Sequence, residues 1–278
     1  MSLNSVNTNV GAMMALQSLN AINRDLSDTL RHIATGFAIS SPKDNPAVWA
    51  IAQNQRSESK SLDAVRASLQ RGSSITDVAL AAGETVTDLL GQMREKMLAA
   101  SDTSLSTSSR KALNDDYMSL KRQIDRTVGT ADFNGINLIS SGSVGQIRAL
   151  ANADATDTID VDHVDLSTTG SALSGMRADL LGAPISAAEI KAMGGAIDNV
   201  TSALAHLGTG SFALETHMSF IDKLQDTLDA SVGRLVDADM AKEATKLQAL
   251  QIKQQLAIKS LSIANSAPSY LLKLFGGG

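Results

Sequence analysis

The chain has no cysteine, and its 278 residues include only four prolines, one tryptophan, two tyrosines and five phenylalanines. Without cysteine there is no disulfide framework, no thiolate metal site and no thiol nucleophile. So few rings leave little for base stacking, and a formal net charge of -5 argues against tracking a phosphate backbone, so no nucleic-acid partner is expected. No run of about 18 apolar residues occurs, and Lys and Arg do not gather along polar faces, so neither a membrane span nor membrane-surface binding is expected. Residues Met1 to Asn9 lack a basic stretch followed by an apolar core, which is not the form of a Sec-type signal peptide.

What remains is rich in Ala, Leu, Ser, Met, Gln and straight-chain charged residues, a mixture that favours long helices over sheets. Val10, Met13, Leu16, Leu19, Ile22, Leu26, Leu30 and Ile33 recur in steps of three and four and predict a first helix, capped among Asn7, Thr8 and Asn9 and stopped at Gly36. Pro42 and Pro46 bracket a connector that leads to Trp49, a lone large ring read as a packing anchor. A helix of about 45 residues, nearly 70 Å long, is expected from Ile51 to Met97, followed by a turn over Ser101 to Ser109. The next helix carries Leu113, Tyr117, Leu120, Ile124 and Val128, after which Phe133-Asn134-Gly135 reads as a turn.

Residues 136–183 are rich in Ser, Thr, Gly and Asp, and the alternations Ile159-Asp160-Val161 and Val164-Asp165-Leu166 predict short strands. Helical spacing returns at Ser186 and runs to Leu235, weakened at Gly208 and Gly210. A last helix, with Met240, Leu247, Leu250, Leu256 and Leu261 on an apolar surface, is expected to end at Pro268. The class that follows is mainly α: an elongated rod of long antiparallel helices with coiled-coil-like packing and a small β-hairpin in the middle of the chain. The stripes of the first and last helices are too broad for one another alone, so they are expected to pair with other copies of the chain.

Nothing points to catalysis. His32, His163, His206 and His217 form no HExxH pair, and neither a phosphate loop nor a nucleophile elbow is present. Asp154, Asp157, Asp160, Asp162 and Asp165 lack the loop spacing of a calcium site and read as a solvated acidic face. No enzyme, cofactor or metal is expected.

Both termini and the middle helix nevertheless carry recognisable motifs. They are Asn7-Thr8-Asn9, Thr35-Gly36, Ser41-Pro42-Lys43-Asp44 and Ala50-Ile51-Ala52 near the start, and Ile124-Asp125-Arg126 with Phe133-Asn134-Gly135 further on. Arg234 to Glu243, containing Asp237 and Asp239, follows later, then Gln254-Gln255, Ala264-Asn265 and Pro268. In this order they resemble bacterial flagellin, the subunit of the flagellar filament, in a short form without large outer domains and of α-proteobacterial type.

The resemblance implies a D0 domain from residues 1–40 and 236–278, a connector over 41–57, and a D1 domain from helices 58–129 and 186–235 around a β-rich part, 130–185. It implies self-assembly through the terminal helices, at Val10, Met13, Leu16, Leu19, Ile22, Leu26, Leu30, Leu247, Leu250, Leu256 and Leu261, into an open helical polymer, alone or with other flagellins. It further implies export through the flagellar type III machine with a chaperone and export gate, contact with cap and hook-filament junction proteins, and an extracellular filament used for motility. O-glycosylation is implied at residues such as Ser140, Ser143, Ser167, Thr168 and Thr169.

Pro42, Pro46, Trp49 and Ala38 depart from the usual family pattern and suggest a stiffer connector. Arg94 and Glu95 match the patch read by the innate immune flagellin receptor, whereas Gln92 and Lys96 do not, so activation is expected to be weak or absent. The alternative is a hook-filament junction protein of the same architecture, separated by its abundance in sheared filaments.

Overall fold

Steps of three and four between small or apolar residues recur along four of the helices and decide how they pair. The computed structural model describes residues 8–142, 146–182 and 184–275, with the side chains of the last helix described to Ser266. In chain order the elements are α1 (Val10–Thr35), α2 (Pro46–Ala100), α3 (Thr107–Thr130), β1 (Gln146–Leu150), β2 (Thr158–Asp162), α4 (Ala187–Val236) and α5 (Met240–Phe275). They fall into two compact units, Met1–Ser57 with Thr227–Gly278, and Glu58–Asp226.

In the second unit α2 buries Leu62, Val65, Leu69, Thr76, Ala79, Val86, Leu90, Met93 and Met97, the 3.5-residue repeat of a coiled-coil seam with Gly72 and Gly83 at the intervening positions. The facing repeat on α4 is Met193, Ala196, Val200, Ala203, Leu207, Leu214 and Ile221. The two run antiparallel: Gln225 donates to the Ser59 carbonyl and Asp63, Arg66 meets Asp222 at 3.1 Å, and Leu204 lies over Gly83. A Cβ at Gly83 would overlap the Leu204 side chain.

A third helix closes this core. Ser106 caps α3, whose Tyr117, Leu120, Ile124 and Val128 are buried, and Tyr117 donates its hydroxyl to the Arg177 carbonyl at 2.9 Å. Burial raises the Tyr117 phenol to about 12. The segment between α3 and α4 adds Leu138, Ile139, Leu166, Leu173 and Leu180, each at most 1% exposed.

Several expectations need correction. Ile159-Asp160-Val161 does form a strand, β2, but its partner is β1, paired Gln146 with Asp162 through Leu150 with Thr158. Val164-Asp165-Leu166 is not a strand; Val164 and Leu166 instead donate backbone bonds to Leu138 and Ile139, which sink Leu166 into the core. α4 passes unbroken through Gly208 and Gly210, because Gly210 gives β2 room: a Cβ there would sit 3.0 Å from Val161.

α2 begins at Pro46 and α3 at Thr107, since Asn45 and Ser106 are good caps and a proline is well placed at the first helical position. Trp49 is only half-buried and is not among the residues packed on the neighbouring Ala52–Val232–Val236 cluster. Pro268 does not end the last helix, which continues to Phe275. A proline has no N–H, so it leaves the carbonyl four residues earlier, on Ala264, without its helical donor; Asn9 supplies a replacement at 2.7 Å. Phe133-Asn134-Gly135 turns as expected, with positive φ at Asn134 and Gly135 and paired backbone bonds between Phe133 and Ile136.

Candidate self-assembly surface

α1 and α5 run antiparallel in the first unit, as contacts of Asn9 with Ala264, Asn23 with Gln254 and His32 with Glu243 establish. The face of α1 turned away from solvent is Ala12, Ala15, Leu19, Ile22, Leu26, Thr29 and Ile33, and that of α5 includes Leu247, Leu250, Gln254, Ala257, Leu261 and Ala264. Both again follow steps of three and four. Only Thr29 and Leu250 among them are fully buried.

The expected assembly residues therefore divide. Leu19, Ile22, Leu26, Leu247, Leu250 and Leu261 lie on the intrachain seam. Val10, Met13, Leu16, Leu30 and Leu256 do not; they stay exposed, Met13 and Leu256 at about 60%. The sequence stripe mixed the two sets because Ala and Thr carry little hydrophobic signal, while the seam selects by position. Met14, Ile252, Ile258 and Ile263, absent from the expected set, share the exposed surface.

The motif residues explain how the two helices are held. Gly36, at φ 74°, ends α1, and the chain then pairs with the end of α4: Ala38 and Ile39 donate to the Val236 carbonyl, and Ala238 donates to that of Gly36. Phe37, Ile39 and Leu235 pack on Ala52, Val232 and Val236, with Arg56 over the Phe37 ring. Asp237 lies in the isolated bridge with Phe37. Asp239 caps α5 by accepting from Ala241 and Lys242.

Asp44 accepts from the backbone and hydroxyl of both Ser40 and Ser41 and meets Arg31 at 2.8 Å. Burial raises its pKa, but these bonds outweigh it and hold the carboxyl below the ordinary value. Lys43 is exposed.

In the second unit, Asp125 accepts from the backbone and hydroxyl of Thr168, pinning that loop to α3, and Arg126 turns back to the Arg122 carbonyl. Of the expected sugar acceptors, Thr169 is exposed, Ser140, Ser167 and Thr168 are half-buried, and Ser143 lies outside the described residues. Arg94 and Glu95 are exposed, whereas Lys96 is held by Asp116 at 3.3 Å. The acidic strand is paired rather than vacant: Asp160 meets Arg148, Gln146 and Thr158. No helix among the described residues is long and apolar enough to cross a membrane.

Comparison with known proteins places these features in context. Residues 6–143 match the bacterial flagellin N-terminal helical region, and residues 190–275 the bacterial flagellin C-terminal helical region. The chain is 50% identical to flagellin FljK of Caulobacter vibrioides, over 99% of its own length and 100% of that protein. It is 33% identical to a flagellin of Brucella melitensis, over 98% and 99%. Among solved structures, a putative flagellar hook-associated protein from Vibrio parahaemolyticus superposes with a TM-score of 0.58 at 15% identity, covering 70% of this chain and all of that one.

Proposed function

The chain belongs to the bacterial flagellin family, and from that premise we infer that it is a structural subunit that polymerises into the flagellar filament through the exposed apolar surface of α1 and α5. The observation that carries the assembly site is Val10, Met13, Leu16, Leu256 and Ile263, large apolar side chains that the chain's own fold leaves in water. Unlike patches that meet head to tail build an open helix, and each such side chain covered by a neighbour contributes about 1.5–3 kcal/mol. Deleting residues 1–33 or 240–278 is expected to give soluble monomers; electron micrographs showing filaments of either truncation would overturn the assignment.

The surrounding role is part of the same proposal. The terminal helices and their junction constitute D0, and the second unit D1. The subunit leaves the cell through the flagellar type III machine with a chaperone and export gate, adds beneath a cap beyond the hook-filament junction proteins, and resides outside the cell in a filament that can include other flagellins. Lack of disulfides suits export in an unfolded form. Its role is structural, not catalytic. Thr169 is the most accessible of the described residues among the acceptors considered for O-glycosylation, and the intact mass of native protein tests for sugar. Lys96, engaged by Asp116, and Gln92 weaken recognition by the innate immune flagellin receptor; a strong response in a receptor reporter assay would contradict this.

A further inference from the structure

Asn9 and Ala264, each part of a terminal motif, meet through a hydrogen bond between residues near opposite ends of the chain. Asn9 Oδ1 accepts from Ala12 N at 2.9 Å and caps α1, while Asn9 Nδ2 donates to the Ala264 carbonyl at 2.7 Å, 255 residues away. That carbonyl is the one whose α-helical donor would be the N–H of residue 268, and residue 268 is proline. One planar amide thus serves an orphan donor at the start of α1 and the orphan acceptor made by a proline inside α5.

We propose that Asn9 and Pro268 form a lock that holds the Asn9 end of α1 on α5 in the alignment that the Gly36–Ala238 backbone bond and the His32–Glu243 contact set at the other end. The seam contributes little there, because its end near Asn9 is lined by Ala12, Ala15, Ala257 and Ala264, which differ little in shape or area. The exposed Asn23–Gln254 pair joins two flexible side chains. Only opposite residue 264 does Asn9 find a backbone carbonyl that the helix itself cannot satisfy. When these ends part, the Asn9 amide loses this acceptor and the Ala264 carbonyl has no helical donor to return to. Proline is therefore the specifying element of α5 rather than its terminator, and Asn9 is the positioning residue that reads it. This pairing lies within one chain and stands whether or not the outward surface polymerises.

A cross-link reads the register directly, because the chain is otherwise free of cysteine. A Cβ built on Gly11 lies 3.9 Å from Ala264 Cβ, inside the range a disulfide requires. The rate of intrachain disulfide formation in the full chain carrying G11C and A264C is measured in the assembled and unassembled states, with N9S, P268A and both added. Serine keeps the cap but cannot reach Ala264. The expected result is that N9S slows cross-linking about fivefold, the equilibrium factor of one net hydrogen bond, and has less than about a twofold effect when P268A restores the helical N–H. An equal effect of N9S in both backgrounds, no effect in either, or a parent pair that cross-links in neither state would overturn the lock. Failure of the parent to polymerise would count against the proposed function alone.

Discussion

α1 with α5 and α2 with α4 are both antiparallel pairs with a 3.5-residue seam, yet they reach different ends. On α2 the seam residues Leu69, Ala79, Val86, Leu90 and Met93 are 0% exposed, whereas among the described residues α1 buries only Thr29 and α5 only Leu250. Leu and Ala recur in all four stripes, so the presence of apolar residues does not by itself separate them. The second unit has α3 and the segment carrying Leu138, Leu166 and Leu173 to cover its seam from the side. The first unit has no such cover along the described part of α1 and α5. A pair of helices alone hides a narrow stripe and leaves the rest of each circumference to water. The lesson is that a seam specifies which helices meet, while coverage by further elements decides whether they are stable by themselves.

The largest test of this contrast sets a core residue against a surface one. Leu90→Ala is expected to destabilise the second unit by about 2–5 kcal/mol, read as a lower unfolding midpoint of the monomer. Leu16→Ala with Leu256→Ala should leave that midpoint unchanged and raise the concentration needed for polymerisation by tenfold or more. A fall in monomer stability from the latter pair would show that α1 and α5 are already covered within the chain.

Acid sharpens the comparison more gently, because both units hold carboxylates with lowered pKa, Asp44 in the first and Asp102 and Glu189 in the second. Asp44 in the first unit is raised by burial and lowered further by Ser40 and Ser41; Glu189 in the second is lowered by its capping bonds to Ser186 and by Arg177. A depressed carboxyl contributes stability that is complete above its ordinary pKa and is lost as pH falls through the folded value. Asp44→Asn should therefore reduce acid sensitivity at the α1–α5 junction without altering the second unit, and Glu189→Gln should reduce it in the second unit, where Asp102 keeps its share, without altering the junction. Acid titrations of filament turbidity and monomer ellipticity separate the two.

The smallest effect concerns Thr29, whose buried hydroxyl finds no partner within the described chain. Thr29→Val keeps the shape and removes the desolvation cost, a gain of about 1 kcal/mol, visible as a higher temperature of filament dissociation. A lower temperature would reveal that a neighbouring copy supplies the missing acceptor or donor.

Much of the fold was legible before any coordinates. The long stripes located the helices, though α2 starts earlier than Ile51 and α5 continues past Pro268 to Phe275; Asn134-Gly135 announced its turn, and the terminal motifs carried the family. Other readings failed for local reasons. Ile159 to Val161 and Val164 to Leu166 alternate alike, but only the first found a strand partner, Gln146 to Leu150, whose own pattern was too short to stand out. Gly210 looked like a break until Val161 was seen to need its space, and Pro268 looked like a stop until Asn9 was seen to satisfy the carbonyl it frees.

By itself the sequence determined which segments are helical, that the first helix is capped near Asn9 and stops at Gly36, and that the chain is a flagellin, because spacing, capping and motif order are properties of neighbouring residues. Only tertiary structure decided which half of each stripe faces inward. Ala12, Ala15 and Thr29 take the seam while Met13 and Leu16 face water, since burial depends on what packs opposite a position and not on how apolar the residue at that position is.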